Sequence, residues 1–389
     1  MTVYVRKVAE ALWERGVHTD IFTRATASST PISVLQPGVR VLAIPAGPPG
    51  EVAKEELTRY VDEFVDATRA FVSAQGTAYD LLHSHYWQSG LAARVLRQSW
   101  AIPWVHSQHT LAKVKNQQLA PGDLPEPADR IAGEEAIMAE ADVLISSTDD
   151  EWRQLSCLYG VAHDRLKTIH PGVDHDLFSP GDRKAARAEL GIGDEAMLVY
   201  AGRIQPLKGL DLAIRAVHEL RGTIDRDVVL YLVGGASGAT GTRERARLQE
   251  LTHALGLERH VRFVGPAGHT EIPSYLRAAD AAVVCSYSES FGLVALEAHA
   301  CGTPVVATGV DGLAHIVRDG VTGFLVDTRD PESFAARLRI LLSDEERWAL
   351  LSRNALHVAR AFSWGRTASG LFELYDCLLH ERWPQLCTC

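Results

Sequence analysis

The 389-residue sequence predicts an α/β protein of two Rossmann-like domains, each a mostly parallel sheet covered by helices. Three observations predict it. Short runs rich in Val, Ile and Leu alternate with helix-length stretches along the chain. Those runs are nearly continuous in apolar residues, as strands buried on both faces are. The alternation is broken by a Pro-, Gly- and Asp-rich segment, HPGVDHDLFSPGD at 170–182, so one α/β unit precedes it and another follows. The domains are therefore 1–172 and 173–365.

The first element is unusual. Val3, Val5, Val8, Leu12 and Trp13 recur at helical spacing, so the chain opens with a helix. A doubly wound sheet ordinarily opens with a strand that lies centrally. The N-terminal sheet is therefore expected to lack its first strand, with a gap between the strand near DIFTR (20–24) and the one near 81–85. A lost central strand leaves both neighbours with unpaired backbone groups, a large cost. That cost favours a true start upstream of Met1 over a remodelled domain.

Strands follow at LLHSHYW (81–87), PWVHSQH (103–109), ADVLISST (141–148) and LKTIHPG (166–172). The second domain supplies AMLVYAGR (196–203), VVLYLVGG (228–235), VRFVG (261–265), AAVVCSYS (281–288) and TPVVAT (303–308). In the tail, Leu371, Leu374, Leu378 and Leu379 give a helix from about Ala368 to His380 one apolar face.

Composition narrows the classes. Hydrophobic residues make up 46% and charged residues 23%, and the formal net charge is −10. Such a balance argues against a general affinity for nucleic acid or anionic membranes. No run of apolar residues is long enough to span a bilayer, and the charged N-terminus does not resemble a signal peptide. The six cysteines are scattered except Cys387 and Cys389, so neither a zinc site nor a disulfide framework is expected. A reducing cytoplasm is the simplest location.

Two stretches carry chemistry. In SYSESFGLVALEAHACGTPVVAT (286–308) a strand turns into a helix expected to start at about Ser290, with Ser290 as its N-cap. A helix start exposes N–H groups that attract phosphate, and Gly292 lets a ligand approach the backbone. Glu289 falls where open α/β sheets bind ligands, and Glu297 could accept hydrogen bonds from a ribose. In YAGRIQPLKGLD (200–211), Arg203 and Lys208 lie five residues apart after another buried strand. They can aim cations at a diphosphate leaving group across the crevice between domains. Each acid or cation alone is more simply a solvated surface charge; two pairs after two strands of one sheet are harder to dismiss.

These stretches together resemble the nucleotide-sugar signature of family 4 retaining glycosyltransferases, which have the GT-B fold of two Rossmann-like domains facing across a cleft. DLLHSHYWQSG (80–90) and HSQHTLAKVKN (106–116) are similar to the branch of that family acting on inositol phosphate. The resemblance runs from Met1 to about Phe362. It implies that Arg203 and Lys208 bind the donor diphosphate and that Glu297 holds the nucleotide ribose. Glu289 would contact the donor sugar, with Phe291, Gly292 and Leu293 nearby, and His109 would sit beside the reacting centre. The implied catalytic set is His109, Arg203, Lys208 and Glu289. No metal and no resident cofactor is implied; the nucleotide sugar is a cosubstrate. The tail, 366–389, would pack back on the N-terminal domain.

The resemblance further implies that the acceptor's phosphate is gripped by Lys54, Tyr86, Thr110 and Arg130, which match the family's spacing over 77 positions. Singly, these read as a solvated lysine, a core aromatic, a cap and a salt-bridge partner. The implied activity moves a sugar, N-acetylglucosamine from UDP-N-acetylglucosamine, to a phosphorylated cyclitol such as inositol 3-phosphate. Two alternatives stay open: a natural-product enzyme acting on an aminocyclitol or thiol-histidine acceptor from a UDP- or GDP-sugar, and a nucleotide-sugar binder inactive for want of the family's N-terminal glycine-rich loop. Expected partners are the donor and a small polar acceptor, without nucleic acid or membrane insertion; a homodimer fits equally. The remaining histidines, of 16, and the glycine-rich GGASGATG (234–241) read as structural and as a loop by the donor site.

Overall fold

The computed structural model describes residues 1–238 and 240–380. They form two compact units: Met1–Gln117 with Glu126–Gly172 and the chain from Trp364, and Val173–Ser363 with Gln118–Pro125.

The first unit holds seven strands: β1 (Thr19–Arg24), β2 (Ile32–Gln36), β3 (Val39–Ile44), β4 (Leu82–His85), β5 (Trp104–Ser107), β6 (Val143–Ser146) and β7 (Leu166–Thr168). They form two sheets, ordered β1-β3-β2 and β4-β5-β6-β7. Every pairing is parallel except β2 with β3. The hairpin of β2 and β3 escapes the sequence pattern; in β2 the apolar Ile32 and Val34 are exposed, against the usual link between apolar residues and burial.

Among the described residues, β1 and β4 each have a single strand partner. Between them lies an open cavity of about 1300 Å³, lined by β1, β4 and side chains such as Val8, Leu12 and Phe64. The expected gap is thus a slot between two strand edges. Asp20 of β1 ties it at one end: it accepts from Arg40 (2.7 and 2.6 Å) and from the Tyr79 hydroxyl (2.6 Å), just ahead of β4.

The helix Thr2–Trp13 packs on the helix Trp364–Leu379; Val8 and Leu12 share a core with Leu371 and Leu374. The tail therefore counts with the first unit. Its last residues, with Cys387 and Cys389, lie outside the described residues.

The second unit has one parallel sheet of β8 (Ala196–Ala201), β9 (Val228–Val233), β10 (Val261–Gly265), β11 (Ala281–Val284), β12 (Val305–Thr308) and β13 (Gly323–Val326). Its order is β10-β9-β8-β11-β12-β13. Strand order reverses between β8 and β11, the place where doubly wound sheets bind ligands. Residues of β8 and β9 are buried on both faces, which explains their continuous apolar runs.

One consequence is measurable. Amides of β1 and β4 that face the slot should exchange with solvent faster than those of β5 and β6, which lie inside a ladder. Equal protection by native-state hydrogen exchange would show that the edges are closed in solution.

Candidate active site

In the second unit the site residues gather past the ends of β8 and β11. The Pro206–Lys208 turn follows β8, and Lys208 Nζ reaches Glu289 Oε2 at 2.5 Å. Gly209 follows in left-handed backbone with φ 58°; a Cβ there would meet the Cys285 carbonyl oxygen at 2.3 Å. Arg329 occupies that neighbourhood, donating to the same carbonyl at 2.9 Å and lying over the Tyr287 ring. Arg203 is exposed, its carbonyl accepting from the Tyr200 hydroxyl at 2.6 Å.

The turn carrying Glu289 is held by Asp311. Its Oδ2 accepts from Ser288 Oγ (2.8 Å) and the Glu289 amide (3.3 Å), and Gly312 donates its amide to the Glu289 carbonyl (2.9 Å). The helix starts later than expected, at Leu293, and its N-cap is Gly292 with φ 92°, not Ser290. The reason is packing. The Ser290 carbonyl lies so close to Gly312 that any Cβ on residue 312 would sit 2.3 Å from it, and the chain needs Gly292 to turn into the helix. Phe291 is buried, with its ring edge-on to Phe362. Glu297 lies on the helix Leu293–Ala300, 3.7 Å from His269, with its carboxyl pushed up by burial. A partly dehydrated acid of this kind suits a neutral hydroxyl partner. Asp311, Gly312 and Arg329 were not legible as site residues.

In the first unit the four residues from separate segments come together. Lys54 Nζ lies 5.4 Å from the centre of the Tyr86 ring and the Arg130 guanidinium 5.1 Å from it. Arg130 Nη2 donates to Thr110 Oγ1 (3.0 Å) and to the Thr110 carbonyl (3.1 Å). Arg130 is itself buried, and Glu134 Oε1 accepts from its Nε at 2.8 Å. Glu134, fully buried, also takes the Ala112 amide (2.9 Å) and the Tyr159 hydroxyl (2.5 Å). The salt-bridge reading of Arg130 is thus true beside its place in the cluster. Arg130 and Glu134 stand four residues apart on the helix Ala128–Glu140, a spacing visible in the sequence, and Glu126 just precedes that helix.

His109 lies beyond the end of β5, not on it, and its Nε2 is 3.1 Å from His85 Nδ1. Tyr86 (φ 73°, ψ 153°) and His109 (φ 63°) both have left-handed backbone, which costs a non-glycine residue about 1–3 kcal/mol. Such strain persists only where the surrounding structure holds it in place. His83 is occupied by the Tyr375 hydroxyl (2.6 Å) and Ser107 (3.0 Å), and His106 by Ser84 (2.7 Å).

Family models match both parts of the chain. Residues 1–172 match the "glycosyl transferase 4-like domain" and 182–358 match "glycosyl transferases group 1". A D-inositol 3-phosphate glycosyltransferase of Geodermatophilus obscurus is 46% identical over 98% of this chain and 85% of its own length. One of Thermobifida fusca is 45% identical over 98% and 89%. Among solved structures, sucrose-phosphate synthase of Thermosynechococcus elongatus superposes with a TM-score of 0.90 at 33% identity, covering 97% of this chain and 93% of that one. The HepE protein of Anabaena, in complex with UDP and glucose, shares the fold at 22% identity, with a TM-score of 0.72 and 86% of each chain covered.

The histidines predict a pH dependence. Burial lowers the His106 pKa to about 4 and that of His85 to about 3, against an unfolded value near 6.5. The unfolded chain therefore takes up protons first as pH falls. Stability present above about pH 6.5 is lost toward pH 4, by up to about 1.4 kcal/mol per pH unit for each histidine. Urea unfolding at pH 7 and pH 5 should give a lower free energy at pH 5; an unchanged value would show that the cluster protonates while folded.

Proposed function

The chain belongs to the glycosyltransferases, and from that premise we propose that it moves N-acetylglucosamine from UDP-N-acetylglucosamine to a phosphorylated cyclitol such as inositol 3-phosphate, with retention of anomeric configuration. One observation carries the acceptor half. Lys54, Tyr86, Thr110 and Arg130 come from four segments: Lys54 and Arg130 lie over the Tyr86 ring, and Arg130 donates to Thr110. Two cations and two hydroxyls match the charge and the hydrogen-bond demand of a phosphate monoester. The names of the relatives agree with that chemistry.

The donor half rests on the second unit. Arg203 and Lys208 take the charge that builds on the leaving diphosphate, the step where electrostatic stabilisation counts most. Glu289 orients Lys208 and contacts the donor sugar. Glu297 accepts from the ribose hydroxyls. His109 stands by the reacting carbon. Attack on the same face as the departing diphosphate lets the leaving group take the acceptor's proton. No second carboxylate at glycosidase spacing is then needed, and neither is a divalent ion.

Two substitutions test the halves separately. Lys208→Ala should lower kcat/KM by about 2–4 kcal/mol of transition-state stabilisation, measured as UDP release with a chelator present. Undiminished turnover with the best donor would refute the donor assignment. Arg130→Ala should raise the acceptor's KM far more than the donor's, and inositol should be a poor acceptor beside inositol 3-phosphate. If inositol turns over equally well, the acceptor is unphosphorylated and a natural-product acceptor takes its place. Donor binding without any turnover would mark a binder.

A further inference from the structure

Arg130 is the cation at the middle of the acceptor cluster, yet its side chain is only 1% exposed. An incoming anion reaches it only if a present neighbour leaves. Besides the Tyr86 ring, itself part of the proposed phosphate grip, three polar neighbours surround the guanidinium: Thr110, Glu134 and Glu126. Thr110 is neutral and part of the proposed phosphate grip. Glu134 is fully buried and serves Arg130, the Ala112 amide and the Tyr159 hydroxyl, so its departure would leave three donors unpaired.

Glu126 differs. Its side chain is 12% exposed, and its Oε2 lies 2.7 Å from Arg130 Nη1. That contact pairs charge, but no N–H of Nη1 points along it, and Nη1 is a buried nitrogen without a hydrogen bond. Its Oε1 meets Lys115 Nζ, which is itself partly exposed. The backbone of Glu126 is pinned by Asn116, whose Oδ1 accepts the Glu126 amide (2.7 Å) and whose Nδ2 donates to the Glu126 carbonyl (3.4 Å). The carboxylate can therefore swing away while the chain stays in place.

We propose that Glu126 is a resident stand-in for the acceptor's phosphate. This rests on the phosphorylated-acceptor reading above. While the site is empty, Glu126 adds a second negative charge beside the buried Arg130, which Glu134 also pairs, and meets Lys115. A phosphate monoester brings about −1.5 to −2 charges and three acceptor oxygens. It displaces the single carboxylate, supplies Arg130 Nη1 with the hydrogen bond it lacks, and takes Lys115 as a further ligand. A neutral cyclitol has no charge with which to displace Glu126. The same carboxylate thus makes the site selective for phosphorylated acceptors.

The test is the direction of one effect. Inorganic phosphate and inositol 3-phosphate are titrated by calorimetry into the full wild-type chain, Glu126→Gln and Arg130→Ala. Glu126→Gln removes the competing charge at constant shape and should bind inorganic phosphate at least about tenfold more tightly than wild type. Equal or weaker binding would mean that Glu126 holds Arg130 in position, and the stand-in role fails. The wild type offers a check independent of the variant's folding: a phosphate-bound structure should show the Glu126 carboxylate away from Arg130, and one with the pair intact overturns the proposal. If Arg130→Ala also binds inositol 3-phosphate as well as wild type does, the acceptor reading itself has failed. If only that variant loses binding while Glu126→Gln gains none, the fault lies with the stand-in alone.

Discussion

The first unit's candidate site depends on one buried ion pair, Arg130 with Glu134. Both side chains are all but removed from solvent, and each carboxylate oxygen of Glu134 is used. Deleting one partner of such a pair typically costs about 3–5 kcal/mol, because the other charge is left buried and unpaired. What the pair secures is position. Glu134 takes the amide that opens the helix Ala112–Gln117 and the hydroxyl of Tyr159, so three segments far apart in sequence share one anchor. Arg130, held at Nε, then presents its other nitrogens to Thr110 and Glu126 and its plane to Tyr86.

The second unit solves the same problem by other means. Its cluster is partly exposed, and its precision comes from backbone packed on backbone. Gly209 and Gly312 each sit where a single added carbon would strike a carbonyl oxygen. Asp311 fixes the turn that carries Glu289 through the Ser288 hydroxyl and the Glu289 amide. The Lys208–Glu289 pair can therefore remain accessible without being loose. Its location follows from the sheet. Where strand order reverses between β8 and β11, the loops that follow the two strands diverge and leave room for a ligand.

Much of this was legible in the residues, for identifiable reasons. Strands buried on both faces announce themselves by continuous apolar runs, as β8 and β9 do. The opening helix was visible from the spacing of Val5, Val8 and Leu12, and the split sheet followed from it. Lys208 and Glu289 stood out because charge just after a buried strand is informative, and Glu297 because it lies on the helix that follows. The hairpin of β2 and β3 and the strand β13 were not visible: β2 exposes its apolar Ile32 and Val34, and β13 has only four residues. Asp311 and Arg329 act through geometry that no local pattern encodes. The start of the Leu293 helix was misplaced because Ser290 has the chemistry of a cap, while tertiary contact with Gly312 gave that role to Gly292.

The split sheet and the acceptor cluster are physically linked. His85 ends β4, and Tyr86 follows it in strained backbone. Strain of that kind persists only where the surroundings over-determine it. Here the constraint comes from one side, since β4 faces the slot on the other. From the β5 side, the Tyr86 amide donates to the Ser107 carbonyl (2.8 Å), and Trp104 Nε1 donates to Ser84 Oγ (2.7 Å), which also meets His106. Ahead of Tyr86, the Ser89 hydroxyl accepts the His85 amide at 3.0 Å. These bonds carry the conformation of Tyr86, and Lys54 and Arg130 are arranged about that ring. The precision of the acceptor site is therefore inherited from β5 and the buried histidine beside it, which is why proton uptake by His106 bears on the site as well as on stability.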